Sequence, residues 1–197
     1  MDKNEYRNRL ISTATRLFAE RGLNGVSIRE LSKAAGVSIS MISYYFGGKE
    51  GLYSSVLEEQ FSCFDYIDEI TKMAAAPLEK IEEYIRWTIR RNRNNPYLLR
   101  FYTSELTNPT RYFPLIVQPA IGKVIQILIE IVEEGISRKQ LREGLNSVDT
   151  VLAIASVGNY YFLSTLATQE FISHSSERDE ELVKHYMDIF VKGILSQ

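Results

Sequence analysis

Between residues 27 and 48 the chain encodes two short helices in close succession. Ser27-Ile28-Arg29-Glu30 is a capping box. The Ser27 hydroxyl accepts the Glu30 amide and the Glu30 carboxylate reaches back to the Ser27 amide, so a helix starts there. It runs through Ala34, and Gly36 supplies the turn, because a left-handed backbone costs glycine no Cβ clash. Ser38 caps a second helix running to about Tyr45, which Gly47-Gly48 ends. Such a pair needs supporting helices, and the flanks supply them. Upstream, Leu10, Ile11, Ala14, Leu17 and Phe18 fall on one helical face that Gly22 closes. Downstream, Leu52, Tyr53, Val56, Leu57, Phe61 and Phe64 line one side of a longer helix.

After a soft break at residues 73–77 the helices lengthen. They are expected over Pro77–Asn94 and over residues 96–106, 113–137, 147–168 and 177–195. The breaks fall at Asn95-Pro96, at Asn108-Pro109, around Gly144 and at residues 173–176. Five prolines and no sustained alternating pattern leave no place for strands. The expectation is an all-α chain of about nine helices. An N-terminal three-helix helix-turn-helix unit occupies residues 1–50, a larger helical body residues 51–197, and the fourth helix bridges the two.

With 45% hydrophobic and 24% charged residues, the chain has enough apolar surface for a packed core and too little net charge for disorder. A net charge of −2 excludes a uniformly basic coat. The charge is nonetheless uneven: residues 1–57 hold eight Lys/Arg against five acids, a surplus of three, which leaves the remainder at −5. A positive end on an acidic body suits one site for a polyanion. The single cysteine, Cys63, allows neither a disulfide framework nor a thiolate cluster, and reads as inert packing. His174 and His185 lack metal-ligand spacing, and there is no glycine-rich phosphate loop or nucleophile elbow. No enzyme, cofactor or metal is therefore expected. The most apolar run, residues 121–132, contains Lys123, Gln126 and Glu130 and is too short to span a bilayer. The polar N-terminus has no secretory pattern, and a cytoplasmic location without membrane contact follows as the expectation.

Two capped helices about a glycine turn form a device that reads DNA, with the second helix in the major groove. Val37, Ile42 and Phe46 are placed to pack inward on Leu31, Ala34 and Phe18. That leaves Ser38, Ile39, Ser40, Ser43 and Tyr44 on the other face. Hydroxyls bond phosphates or base edges, and Ile39 suits a thymine methyl. Ser27 and Ser38 stand at helix N-termini, where free amides and the helix dipole favour a phosphate. Lys49 adds a charge at the start of the next helix. The same pattern also fits a structural hairpin whose hydroxyls face water. In that case the chain is a helical protein-binding adaptor.

The stretch SIRELSKAAGVSISMISYYFGGKEGLY, residues 27–53, closely resembles the DNA-binding signature of the tetracycline-repressor (TetR) family. TRLFAERG, residues 15–22, is similar to the same family's first helix. The resemblance covers about fifty residues, and the rest of the chain matches in layout only. It implies a DNA-binding transcription regulator with a C-terminal domain for ligand binding and dimerisation, usually a repressor that a small-molecule effector releases from a palindromic operator. It maps a phosphate contact onto Ser27, groove-facing positions onto Ser38, Ile39, Ser40, Ser43, Tyr44 and Tyr45, and a charged contact onto Lys49. Ser43 stands where the family often has an aromatic, Gly47-Gly48 where Lys, Ser or Asn are usual, and Ile39 where a polar residue is frequent. These departures bear on the operator sequence more than on the fold.

For an effector, the middle helices offer Trp87, Phe101, Tyr102, Phe113, Tyr160 and Tyr161, with Glu105 as the polar group. Small-molecule sites are mostly apolar concavities with a few polar groups. An aromatic stripe at helical spacing equally describes plain core. Arg86, Arg90 and Arg93 share one face and suit either an acidic ligand or a solvated surface with Glu82 pairing Arg86. For a homodimer, Leu182, Tyr186, Ile189 and Phe190 form one stripe, and Ala153 and Gly158 allow close helix approach. Two copies of such a helix pair make a four-helix bundle.

Overall fold

The computed structural model describes residues 3–194, so the expected end of the last helix at residue 195 lies outside the described residues. Among the described residues there are eleven α-helices and no strand. They are α1 (Lys3–Arg21), α2 (Ile28–Ala35), α3 (Ile39–Phe46), α4 (Lys49–Ser62), α5 (Ile67–Lys72), α6 (Pro77–Asn94), α7 (Leu98–Thr107), α8 (Gln118–Ser137), α9 (Ser147–Leu163), α10 (Thr165–Thr168) and α11 (Asp179–Ile194). The chain divides into two compact units. One comprises Met1–Cys63 with Tyr97–Pro119, and the other Phe64–Pro96 with Ala120–Gln197. The division differs from an expected boundary at residue 50, because α4 and α7 pack with α1 rather than with the later helices.

In the first unit α1 lies against α2, α4 and α7, and α3 packs on α4. Its core is Leu10, Ala14, Phe18, Leu31, Ile42, Leu52, Tyr53 and Phe101, all essentially sealed from solvent. The Phe18 ring meets Tyr53 edge-on at 5.1 Å. Such pairs add to burial because the positive ring edge faces the negative π-face.

In the second unit α6 is the central strut, packed on α5, α9 and α11. Pro77 at its first turn needs no partner for its missing N–H, and Glu79 accepts the Ala76 amide at 2.8 Å, so the helix starts where the sequence places it. Small residues set its approach to α9. A methyl on Gly158 would lie 2.7 Å from Thr88 Cγ2. Gly158 therefore serves packing within the chain, which corrects its assignment to a dimer face. The Arg91 guanidinium lies 4.6 Å from the Phe64 ring and 4.7 Å from the Trp87 ring. It donates to the side-chain oxygens of Asn92 and Asn159 at 3.2 and 3.1 Å. The arginine face singled out in the sequence is committed to ion pairs. Arg86 joins Glu82 at 2.8 Å and also Glu180, Arg90 joins Glu83, and Arg93 clasps Asp179 at 2.6 Å, so α6 is tied to α11.

At two points the helices leave regular α geometry. α4 tightens into a 3₁₀ turn at Cys63–Tyr66 before α5. Upstream of α8, the Gln118 amide reaches back five residues to Phe113, forming a wide turn where Pro119 has no N–H to offer. This turn joins α8 into a continuous helical stretch, Phe113–Ser137, of 25 residues, within which an 18-residue window has mean hydropathy 1.8. By length and composition it is long enough to cross a membrane, whereas the sequence pointed to a shorter run. Lys123 within it is paired to Asp65 at 3.0 Å and Asp68 at 2.7 Å.

Candidate nucleic-acid interface

The α2 N-terminus is built as the sequence implies. The Ser27 Oγ accepts the Glu30 amide at 3.2 Å, and the Glu30 carboxylate accepts the Ser27 amide at 2.8 Å. The Ser27 hydroxyl also donates to that carboxylate at 2.8 Å, and Arg21 bonds it at 2.8 Å. The Ser27 amide above all, then Arg21, hold the Glu30 carboxyl down at about 2. The Ser27 proton is thus already engaged. The amides of Ile28 and Arg29, which helix geometry leaves without intrahelical partners, are the free donors at this terminus. Arg29 is exposed in the same turn. The sequence reading counted its charge but gave it no role.

Gly36 closes α2 with φ +62°. Its carbonyl accepts Arg9 at 2.9 Å, so α1 staples the turn of the helix-turn-helix. The α3 cap repeats the logic, with Ser38 Oγ accepting the Met41 amide at 3.3 Å and lying 2.8 Å from Ser40 Oγ. Along α3 Ile42 is fully buried, while Ile39 is 40% and Tyr44 74% exposed, and Ser40 and Ser43 face solvent. Tyr45 is half-buried, its ring edge-on to Tyr44 at 5.1 Å. The inward set differs from the expected one in two places. Ala35 is buried rather than Ala34, and Phe46 is half-exposed with Arg7 over its ring at 5.8 Å. Lys49 is half-buried, and its ammonium donates to the Leu23 carbonyl at 2.9 Å, leaving two of its three donors for a phosphate.

Elsewhere the candidate residues scatter. Phe101 and Glu105 are buried in the first unit, Trp87 and Tyr161 in the second, and Tyr102 and Phe113 are half-buried. Tyr160 is 71% exposed, against its expected place in a pocket. Glu105 is not an open polar group awaiting a ligand. It is fully buried and accepts the Tyr53 hydroxyl at 2.6 Å and the Thr110 amide at 3.1 Å. Among the other buried polar side chains, Asn92 and Asn159 join Arg91 in one hydrogen-bonded cluster that no local sequence pattern marks. On the supposed dimer stripe, Leu182 is buried within the unit, Ala153, Tyr186 and Phe190 are half-buried, and Ile189 is 69% exposed.

Two family profiles match this chain. Residues 10–56 match bacterial regulatory proteins of the tetR family, and residues 77–193 match the tetracyclin repressor-like C-terminal domain. The second alone spans more than half of the sequence. The chain belongs to the TetR family. TetR proteins are DNA-binding transcription regulators with a helix-turn-helix, and the two capped helices above are that element here. Among curated relatives, the "Probable HTH-type transcriptional regulator YttP" of Bacillus subtilis (strain 168) is 27% identical over 68% of this chain and 66% of its own length. The regulator RutR of Escherichia coli (strain K12) is 31% identical over 49% of this chain and 46% of its own. The match thus spans less than two thirds of these relatives. Among solved TetR-like structures, the ketosteroid transcriptional regulator KstR2 of Mycobacterium tuberculosis superposes with TM-score 0.78 at 18% identity, covering 97% of this chain and 95% of that one. The TetR family regulator PfmR of Thermus thermophilus gives 0.75 at 19%, covering 93% and 97%. At these identities the likeness concerns the fold alone.

Proposed function

We propose that this TetR-family regulator acts in the cytoplasm as a repressor. On this reading it binds a palindromic operator as a homodimer and is released by a small-molecule effector. The observation that carries the reading is the polarity of α3: Ile42 anchors it inward while Ile39, Ser40, Ser43 and Tyr44 point outward. A helix whose outer face carries hydroxyls, one branched aliphatic and one aromatic is equipped for base edges and thymine methyls. The Ile28 and Arg29 amides, Arg29 itself and Lys49 supply phosphate contacts.

One reading helix gives weak specificity, so a second copy is needed. In the second unit, Val148, Leu152, Tyr160 and Leu163 of α9 are exposed at helical spacing, opposite the buried Val151, Ile154 and Gly158. These side chains, and the exposed Ile189 of α11, are the apolar groups available for a self-complementary contact. The effector acts by population shift, binding better to a state whose heads no longer match the operator. Trp87 and Tyr161 are the aromatic candidates in the body for contacting it.

The test is selection of bound duplexes from a random DNA pool by the purified protein at two salt concentrations. Enrichment of a palindrome whose affinity falls as salt rises supports the proposal. No enrichment at either salt, with and without cell extract as an effector source, refutes it in favour of the adaptor.

A further inference from the structure

Glu105 presents an unusual arrangement within the first unit. Its fully buried carboxyl gathers three donors from two directions: the Tyr53 hydroxyl of α4 at 2.6 Å, and the Thr110 amide and hydroxyl at 3.1 and 3.0 Å from the loop after α7. Burial, and then the bond to Glu105, push the Tyr53 phenol well above its ordinary range, so it remains a donor. One turn earlier on α4, Glu50 pairs with Arg111 of the same loop, and Arg111 also donates to the Tyr112 hydroxyl at 2.8 Å. The loop and α4 are thus fastened twice, once inside the core and once at the surface. A crevice of about 280 Å³ opens beside the surface fastening, lined by Leu23, Asn24, Glu50, Asn108, Thr110 and Arg111.

What this fastening governs follows from the joint on the other side of α4. Only Gly47 and Gly48 separate the reading helix from α4, with φ of +72° and +119° and nothing within 4 Å of where either Cβ would stand. Beyond that joint α3 packs directly on α4, so the aim of α3 follows how α4 is anchored. The outer anchor is a surface ion pair, which contributes little alone. The inner anchor is all-or-none: a buried carboxyl whose donors withdraw cannot turn to water, so it is either fully held or forced into another packing.

We propose that Glu105 is a positioning residue for DNA reading. It latches α4 to α7 and the 108–111 loop, and opening this latch is the step that unseats the reading helix. The proposal rests on the operator-binding reading above, and it assigns the polar residue of α7 to holding α4 rather than to contact with an effector.

The test uses the full-length chain and two near-isosteric variants, Tyr53→Phe and Thr110→Val, each removing one hydroxyl donor of the latch. Either one serves alone if the other does not fold. Operator affinity is measured far below the unfolding midpoint, beside amide hydrogen exchange resolved by helix. The expected result is a loss of affinity of about fivefold or more in each variant, the size of one ordinary lost hydrogen bond. The double variant should be little worse than the weaker single, because both cut one latch. Exchange should quicken in α3 and α4 and not in the second unit. Affinity within twofold of wild type with unchanged α4 protection, even alongside a lowered midpoint, would overturn the proposal and leave Glu105 a packing residue. If the wild-type chain selects no duplex, the operator reading fails by itself. The exchange pattern then decides the latch: selective loosening of α3 and α4 supports it, and unchanged or uniform exchange refutes it.

Discussion

Replacing Gly158 by alanine isolates the contact that sets the α6–α9 spacing. The new methyl would lie 2.7 Å from Thr88 Cγ2, 3.3 Å from Thr88 Cβ and 3.7 Å from Ile89 Cγ1. The first distance is about 1 Å inside ordinary carbon–carbon contact. Thr88 is 1% exposed and branched at Cβ, so it cannot swing clear without leaving its rotamer or moving α6. Overpacking of this kind costs about 1–3 kcal/mol. Against it stands the better helix propensity of alanine, worth about 1 kcal/mol. The net expectation is a destabilisation of about 0–2 kcal/mol, or a fall in midpoint of a few degrees at this chain length. The decisive arm is Thr88→Ser, which deletes Cγ2. In that background the 2.7 Å overlap is gone, only the 3.3 Å contact with Cβ remains, and Gly158→Ala should cost clearly less. The assay is thermal and urea unfolding followed by circular dichroism on all four proteins. An equal effect of Gly158→Ala in both backgrounds, with no coupling between the two sites, would refute the reasoning.

Three further outcomes are expected. Tyr44→Ala should lower operator affinity by about tenfold, the scale of one base contact, and leave the unfolding midpoint in place because the ring is 74% exposed; full retained affinity in a binding titration would remove α3 from the reading role. Arg29→Gln should weaken binding evenly across sequences and flatten the plot of log affinity against log salt by about one unit, whereas an unchanged slope would mean that Arg29 touches no phosphate. The Glu30 carboxyl is held at about 2, below its ordinary 4.5. The support it gives the α2 cap is therefore complete above pH 4.5 and is lost as pH falls through about 2. Its side-chain carbon shift, followed by NMR, should titrate near the lower value, and a midpoint near 4.5 would mean the cap is open in solution.

The parts of this chain legible in its sequence were those governed by neighbours in sequence. Ser27 with Glu30, Ser38 with Met41, and Pro77 at the head of α6 are decided within one turn of backbone, and each stands where the sequence places it. Glu105 does not, because its partner Tyr53 lies 52 residues away and no local pattern distinguishes a carboxylate turned inward from one in water. Gly158 differs from its expected role for the same reason. A small residue on a helix announces a close approach without naming the neighbour, and here the neighbour is Thr88 of the same chain. The 3₁₀ turn after Ser62 carries no glycine or proline to mark it. Pro119 is visible in the sequence, but the wide turn it imposes falls inside an apolar run that otherwise reads as unbroken helix.

The outward side of α3 bears on how a regulator of this kind diverges. Ile39, Ser40, Ser43 and Tyr44 lie at the surface, so exchanging them perturbs folding by about 0.5 kcal/mol or less. On the operator-binding proposal, stability and sequence preference are therefore written in different residues of the same eight-residue helix. A duplicated copy of the gene can drift through successive operator specificities while every intermediate remains a folded protein, and selection for a new target site need not wait for a compensating change in the core.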